Sequence, residues 1–184
     1  MSAPTTRATI DDLYRIDGKA ELIGGRIVKH MPTGRRPHKV ALRITMHLDQ
    51  YAVLTGRGEA YGDNMGFTVP ELTSGRESFS PDASYYDGPF PANEMRFIEG
   101  PPTFAVEVRS ENDYGPSAEA EMAAKRDDYF EAGTKVVWDV DPIAETVACY
   151  RNPTDPPTIW KRGDTADAEP AVPGWRIKVD DIFA

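Results

Sequence analysis

The chain has 184 residues but a single cysteine, Cys149, and only three histidines. One cysteine excludes an internal disulfide framework and points to a reducing, cytoplasmic setting. Together with so few histidines it also excludes a cysteine-rich structural zinc site. No apolar run approaches the roughly 18 residues of a membrane span. Met1 to Thr9 lacks the apolar core of a signal peptide. No glycine-rich phosphate loop of the nucleotide-hydrolase type is present, and no internal repeat or long low-complexity linker interrupts the sequence. Excess positive charge is missing too. The formal net charge is −9, which argues against nonspecific coating of nucleic acid, because such binding is driven by phosphate neutralisation.

What is there begins with an uneven distribution of that charge. From Leu22 to Leu48 there is no Asp or Glu, while Arg26, Lys29, Arg35, Arg36, Lys39, Arg43 and all three histidines fall inside the stretch. The chain has 21 Lys and Arg in all, so 15 remain outside it, against 30 Asp and Glu. One segment is therefore basic and the rest acidic. Either charges have clustered by chance on a solvated face, or a phosphate-facing surface lies beside an acidic site.

With 40% hydrophobic and 28% charged residues, the length suits one domain. We expect an N-terminal helical extension over residues 1–18 and a single domain over 19–184. Thr9 and Asp12 resemble a helix cap. Glu21 to Val28 reads as a hairpin turning at Gly24-Gly25. A loop over Pro32–Pro37 precedes a helix over His38–Thr55, ended by Gly56 and Gly58. Strands are expected at Glu59–Val69, Pro81–Tyr86, Thr103–Arg109, Lys135–Val140, Thr146–Arg151 and Thr158–Lys161, with a helix over Ser117–Ala132. Pro70–Ser80 and Asp87–Pro102 read as turn and loop. This order predicts an α/β fold bordering on α+β, with a mixed central sheet flanked by helices.

Three residues stand out against that frame. Strand alternation puts Phe104, Val106 and Val108 on one face and Ala105, Glu107 and Arg109 on the other. Glu107 thus sits mid-strand, where an ionised carboxylate needs an ion-pair partner (Arg109 or a lysine) or a metal. Asp82 opens a short strand after a turn-rich loop, and could be a simple turn residue. On the following helix Ala118, Met122, Lys125, Tyr129 and Ala132 share one face within about 80°. Glu119, Glu121, Asp127, Asp128 and Glu131 fall off that stripe. Lys125 either snorkels along the core edge or reaches an anion such as Glu107. Two carboxylates and an amine at a strand–helix junction suit Mg²⁺ or Mn²⁺ and a phosphate. There the metal would activate water, and the lysine would orient or help deprotonate it.

Pro81-Asp82 followed by Val106-Glu107-Val108 resembles the signature of the PD-(D/E)XK restriction-endonuclease-like superfamily. More narrowly, five ordered blocks resemble the Uma-two family of bacterial endonucleases. They are Glu21-Leu22-Ile23-Gly24-Gly25, the proline and His38 ahead of the first long helix, and Pro81-Asp82-Ala83-Ser84. Val106-Glu107-Val108-Arg109-Ser110 is the fourth. The last runs from Lys125 through Tyr129 and Gly133 to Val137-Trp138-Asp139-Val140-Asp141-Pro142. The resemblance covers roughly Glu21 to Tyr150. It implies a restriction-endonuclease-like core, hydrolysis of DNA phosphodiester bonds, and Mg²⁺ or Mn²⁺ on Asp82, Glu107 and the Val108 carbonyl. It also implies catalytic roles for Asp82, Glu107 and Lys125, with Glu21 assisting. The superfamily's usual lysine position is Arg109 here, which cannot act as a base but can bind phosphate; in the narrower pattern the lysine moves to the helix, matching Lys125. The pattern usually has a proline after Ser110, where this chain has Glu111.

Arg35, Arg36, His38, Lys39 and Arg109 are the candidate nucleic-acid contacts, although His38 suits a capping or surface role equally well. His47 reads as a core histidine, the large aromatics Tyr85, Tyr86, Trp138, Trp160 and Trp175 as core or interface residues, and Cys149 as a buried apolar residue. A homodimer is expected. The rivals to a DNA endonuclease are a non-catalytic dimerisation or interaction module of the same fold, favoured by net acidity, Arg109 and Glu111, and a hydrolase of another phosphodiester such as RNA or a nucleotide.

Overall fold

A computed structural model describes residues 7–184; Met1 to Thr6 of the expected N-terminal extension lie outside the described residues. Thr9 caps α1 (Ile10–Leu13) through a reciprocal capping box with Asp12, which satisfies two otherwise orphaned N–H groups. The described part of the extension is docked: Leu13 is buried and the Tyr14 ring stacks on Phe97 at 4.3 Å. Next come β1 (Ala20–Ile23) and β2 (Arg26–Lys29), paired antiparallel. Gly24 and Gly25 supply the turn, with φ of 57° and 69°, a conformation open to glycine without steric cost.

α2 runs Arg35–Thr55, starting three residues before the expected boundary. Pro37 ended the predicted loop, but it lies in the first helical turn, where its missing N–H costs no hydrogen bond. Val40, Ile44 and Leu48 are buried at helical spacing, and Gly56 closes the helix in the left-handed region.

The expected strand over Glu59–Val69 is two strands in different sheets. β3 (Glu59–Gly62) joins the large sheet, while β4 (Phe67–Thr68) pairs with β5 (Ser78–Phe79) and, further on, with β7 (Ile98–Glu99). Asn64, with φ of 72°, breaks the run between them. The turn and loop expected on either side of Asp82 thus contain β5 and β7. β6 (Ala83–Tyr86), β8 (Phe104–Val108), α3 (Pro116–Ala132), β9 (Val136–Asp141), β10 (Thr146–Tyr150) and β11 (Thr158–Lys161) follow the predicted order. The C-terminal β12 (Thr165–Asp167), β13 (Arg176–Lys178) and α4 (Val179–Ile182) were not foreseen.

The central sheet has six strands in the order β11-β10-β9-β8-β6-β3. β8 and β9 are parallel and joined through α3, and the other pairings are antiparallel. The sheet is therefore mixed, and strand alternation sorts its two faces. Phe104, Val106, Val108, Trp138 and Val140 meet α2 and the C-terminal segment around Trp175 in one core cluster. Ala105, Val137 and Tyr86 meet Tyr129 of α3 together with Phe67 and Phe79 in the other. Glu107 lies on this second face. Trp138 and Trp175 are core residues with ring centroids 5.4 Å apart. His47 is half-buried and accepts a hydrogen bond from Trp175 at 3.1 Å. Burial pushes the Cys149 thiol up to about 11, so it behaves as an apolar residue.

Candidate functional site

The β6–β8 pairing sets Ala83 opposite Val106, and the Asp82 amide donates to the Val106 carbonyl at 3.1 Å. Continuing that register by one residue sets Asp82 opposite Glu107, on the α3 face, where cross-strand Cβ atoms lie about 5 Å apart. Glu107 in turn pairs in register with Asp139 of β9. Three neighbouring strands thus carry a row of acids, Asp82, Glu107 and Asp139, across the sheet.

Each member of the row is treated differently. Asp139 is buried and fully engaged: Arg109 donates to both of its oxygens at 2.8 Å. Arg109 also pairs with Glu119. The sequence suggested Arg109 as a phosphate contact; its guanidinium is instead committed to two carboxylates. Burial opposes less than these hydrogen bonds supply, so its pKa is raised, with the Asp139 bond as the main cause.

Asp82 accepts from the Val108 amide at 2.8 Å and from Lys19 at 2.7 Å, one bond to each carboxylate oxygen. Lys19 also touches Asp63, again at 2.7 Å. Burial works against the Lys19 ammonium, but Asp82, Glu107 and Asp63 outweigh it and raise its pKa.

Glu107 accepts from the Tyr129 hydroxyl at 2.6 Å and pairs with Lys125 at 2.9 Å, both through the same oxygen. The other oxygen has no hydrogen-bond partner among the described residues. Burial raises the Glu107 pKa; Lys125 pulls the other way, and Asp82 and Glu21 add to the rise. Lys125 reaches inward, as its place on the helical stripe implied, and also contacts Glu21 at 3.2 Å. Burial opposes its charge, but Glu107 and Glu21 more than compensate.

Glu21, from β1, is 1% exposed. Arg76 donates to it at 2.6 Å, the Ser80 amide at 2.8 Å, and His30 lies 3.3 Å away. Burial penalises its charge, yet Lys125, His30 and Arg76 hold its pKa well below the ordinary carboxylate range. Arg76 is itself clamped to Asp128 at 2.8 Å. Asp128 was expected off the inward stripe of α3. It is 6% exposed, because the guanidinium beneath it supplies the charge that lets a carboxylate turn inward.

These groups form the floor of an open cleft of about 1170 Å³. Its rim includes Arg35 and Arg36 in the first turn of α2, both exposed. Arg36 pairs with Glu145 at 2.6 Å. Lys39 is exposed one turn after Arg35, and exposed His38 lines a small recess beside Asp82 and Val108.

Matches to known proteins bear on this arrangement. Residues 9–180 match the profile of Uma2, a family described as "Putative restriction endonuclease". The chain belongs to the Uma2 family. It is therefore a member of a nuclease family, built as a mixed sheet with flanking helices. A crystal structure described as a "putative nuclease belonging to DUF820" from Anabaena variabilis superposes with a TM-score of 0.70. It shares 19% identity and covers 95% of this chain and 97% of its own. At that identity the likeness is one of fold. No curated protein matches the chain.

Sequence reasoning singled out Asp82, Glu107, Lys125 and Glu21. The structure brings the last three into direct contact and holds Asp82 on the amide of the residue after Glu107. It missed Lys19, Asp63, Arg76 and Asp128. Lys19 lies two residues before Glu21, just ahead of β1, and carried no periodic signal of its own. Asp63 lies in a turn, and Arg76, which bridges Ile23 in the structure, falls in a stretch that reads as a polar turn, where a charge is unremarkable.

The donor set can be tested against a divalent cation. Among the described residues no group of three or more His, Cys, Asp or Glu side chains gathers as a ready-made metal cage. Yet Mg²⁺ commonly uses one or two carboxylates and fills its shell with water and phosphate oxygens. Asp82 and Glu107 are two hard donors on one face, with one Glu107 oxygen free of hydrogen-bond partners among the described residues. The cluster as a whole holds Asp63, Asp82, Glu107, Glu21 and Asp128 against Lys19, Lys125 and Arg76. Two formal negative charges are left over. The residues therefore fit one divalent cation.

Proposed function

We propose that this Uma2 member is an endonuclease that hydrolyses DNA phosphodiester bonds with a divalent cation, Mg²⁺ or Mn²⁺, held by Asp82 and Glu107. The observation that carries this reading is the Asp82–Glu107 pair in an open cleft, whose two lysines, Lys19 and Lys125, are each shared with a further carboxylate. The basic first turn of α2 at the cleft mouth supports a polyanionic substrate, and the family description favours DNA. The Val108 carbonyl is a further candidate donor, because the Val108 amide is tied to Asp82. When bound, the cation would stabilise negative charge on the phosphate and lower the pKa of a coordinated water.

The chain's own residues do the rest. Lys125, held between Glu107 and Glu21, presents a fixed positive charge that orients the attacking water and offsets charge developing on the phosphate. Its two ion pairs favour this electrostatic part over proton abstraction. Glu21 positions Lys125 and is too deeply enclosed by Arg76 and the Ser80 amide to serve first as a metal ligand. Tyr129 fixes the Glu107 carboxylate from below. Arg35, Arg36, Lys39 and His38 steer and hold the backbone of the nucleic acid. Water oxygen attacks phosphorus and gives up a proton to solvent, one P–O ester bond breaks, and the departing oxygen takes a proton from solvent.

Incubation with supercoiled and linear DNA plus Mg²⁺ or Mn²⁺, beside Asp82→Ala and a chelator, tests the reading. Cation-dependent cleavage lost in the variant supports it; cleavage absent, or equal in the variant, rejects it. A second reading, an interaction module that keeps the fold without catalysis, draws on one observation: Lys19 already neutralises Asp82. Calorimetry with the cation alone separates the two, since a module shows no binding that depends on Asp82. A parallel RNA substrate decides the polymer.

A further inference from the structure

Both oxygens of Asp82 are already in use. One accepts from the Val108 amide and the other from the Lys19 ammonium. Each oxygen keeps a second lone-pair site, so a cation can approach Asp82, but it then lies within a few ångströms of one or both of these donors. The amide belongs to a central strand paired on both sides, so it cannot retreat without opening the sheet. The ammonium ends a flexible four-carbon stem and can. It also cannot stay, because like charges a few ångströms apart repel in proportion to their product.

The route out is visible in the contacts. The Lys19 ammonium touches two carboxylates at the same 2.7 Å, Asp82 and Asp63. The Asp82 side chain is 21% exposed and the Asp63 side chain 39%. Asp63 sits just past the end of β3, at the break that sends β4 into another sheet. The backbone of Lys19 is fixed, because its carbonyl accepts from the His30 amide at 2.9 Å across the hairpin. Only the stem needs to move.

We propose that Lys19 is a built-in counter-ion of Asp82 which the divalent cation displaces, and that Asp63, at the rim, receives the displaced ammonium. The inference rests on the reading of Asp82 as a cation ligand. It assigns Lys19 and Asp63 as positioning residues that set the affinity of the site and keep its acids neutralised while no cation is bound. A site built this way is stable when empty and answers to cation concentration.

The test is calorimetric titration of the full chain with MnCl₂ and with MgCl₂, without nucleic acid. Lys19→Gln is expected to bind the cation about tenfold more tightly than the unaltered chain, within the usual range of coupling between competing ligands. Asp63→Asn, an altered side chain near the surface, is expected to bind more weakly, since the ammonium then has no second partner. That weakening disappears in the Lys19→Gln/Asp63→Asn double variant, which separates a receiving role from simple loss of a nearby charge. In chelator, Lys19→Gln melts below the unaltered chain and recovers the difference on adding Mn²⁺. Equal or weaker binding by Lys19→Gln overturns the counter-ion role. Equal weakening by Asp63→Asn with and without Lys19 overturns the receiving role. Binding by the unaltered chain that Asp82→Asn does not reduce overturns the cation-ligand reading itself, and this inference with it.

Discussion

Lys125 joins two carboxylates whose surroundings differ sharply. On one side Glu21 is sealed: Arg76, the Ser80 amide and His30 surround it, and Asp128 closes the far end of the Arg76 guanidinium. On the other side Glu107 has one oxygen without a partner among the described residues and faces Asp82 across the strand pair. The pKa directions follow. Despite burial, Lys125, His30 and Arg76 hold Glu21 well down, while burial, with Asp82 and Glu21 added, drives Glu107 up. The difference teaches that the charges of one half of the cluster are spent within the fold, while the other half keeps a donor unspent, as the proposed cation site requires. Asp139 makes the same point within the acid row, since Arg109 satisfies it on both oxygens.

Substitutions on the open side should carry the largest effect, and on activity alone. Asp82→Asn and Glu107→Gln are each expected to lower cation-dependent DNA cleavage by about 1000-fold, the upper range for losing one preorganised electrostatic group. Circular dichroism and melting temperature should stay close to those of the unaltered chain. A large fall in stability with either would show that the open half is structural after all.

The sealed side should reverse that pattern. Glu21→Gln leaves Arg76 and Lys125 under-neutralised in the interior, a loss of about 3 kcal/mol by analogy with other broken buried pairs. In a domain of this size that lowers the melting temperature by roughly 10 °C, read by scanning calorimetry. Adding Arg76→Met to Glu21→Gln should cost less than the two single changes together, because the pair is removed as a unit.

Acid titration sharpens the contrast, because the two glutamates carry opposite signs. The Glu21 folded pKa lies below the ordinary value of 4.5. Its contribution is therefore present above that value and is lost as pH falls toward the folded pKa. The stability gap between the unaltered chain and Glu21→Gln should hold from neutral pH and close only in acid. Glu107 has a folded pKa above 4.5. Its protonation favours the folded state below 4.5, and that advantage is lost as pH rises through the folded pKa. Relative to Glu107→Gln, the unaltered chain should gain stability on acidification. Urea midpoints at several pH values read both.

The smallest effect belongs to the rim. Arg35→Ala with Lys39→Ala should leave stability unchanged and reduce the salt dependence of DNA affinity by about two phosphate contacts. A salt slope equal to that of the unaltered chain would remove those residues from the interface.

Much of this site could be read in advance. Glu107 was conspicuous because strand alternation forces a carboxylate into an apolar setting, and Lys125 because helical spacing places it among Ala118, Met122 and Tyr129. Asp82 had no such local signal and was legible only through the order of the family-like blocks. Lys19, Asp63, Arg76 and Asp128 escaped for a different reason. Their partners lie 44 to 63 residues away along the chain, and no periodicity within one element reports on such a pairing. The break at Asn64 escaped too, since Glu59–Val69 has strand-like composition throughout and only the separate sheets divide it.

The sequence by itself determined the order of the main elements from the first hairpin to β11, the faces of β8 and α3, and the residue types available for chemistry, because these depend on short-range periodicity and turn stereochemistry. The tertiary structure alone decided which charges are spent on one another. Arg109 could have met phosphate but meets Asp139 and Glu119, and Asp128 could have faced water but meets Arg76. A buried charge takes whichever opposite charge the packing brings within hydrogen-bonding distance, and that distance is set by the sheet register and the docking of the helices rather than by any local run of residues.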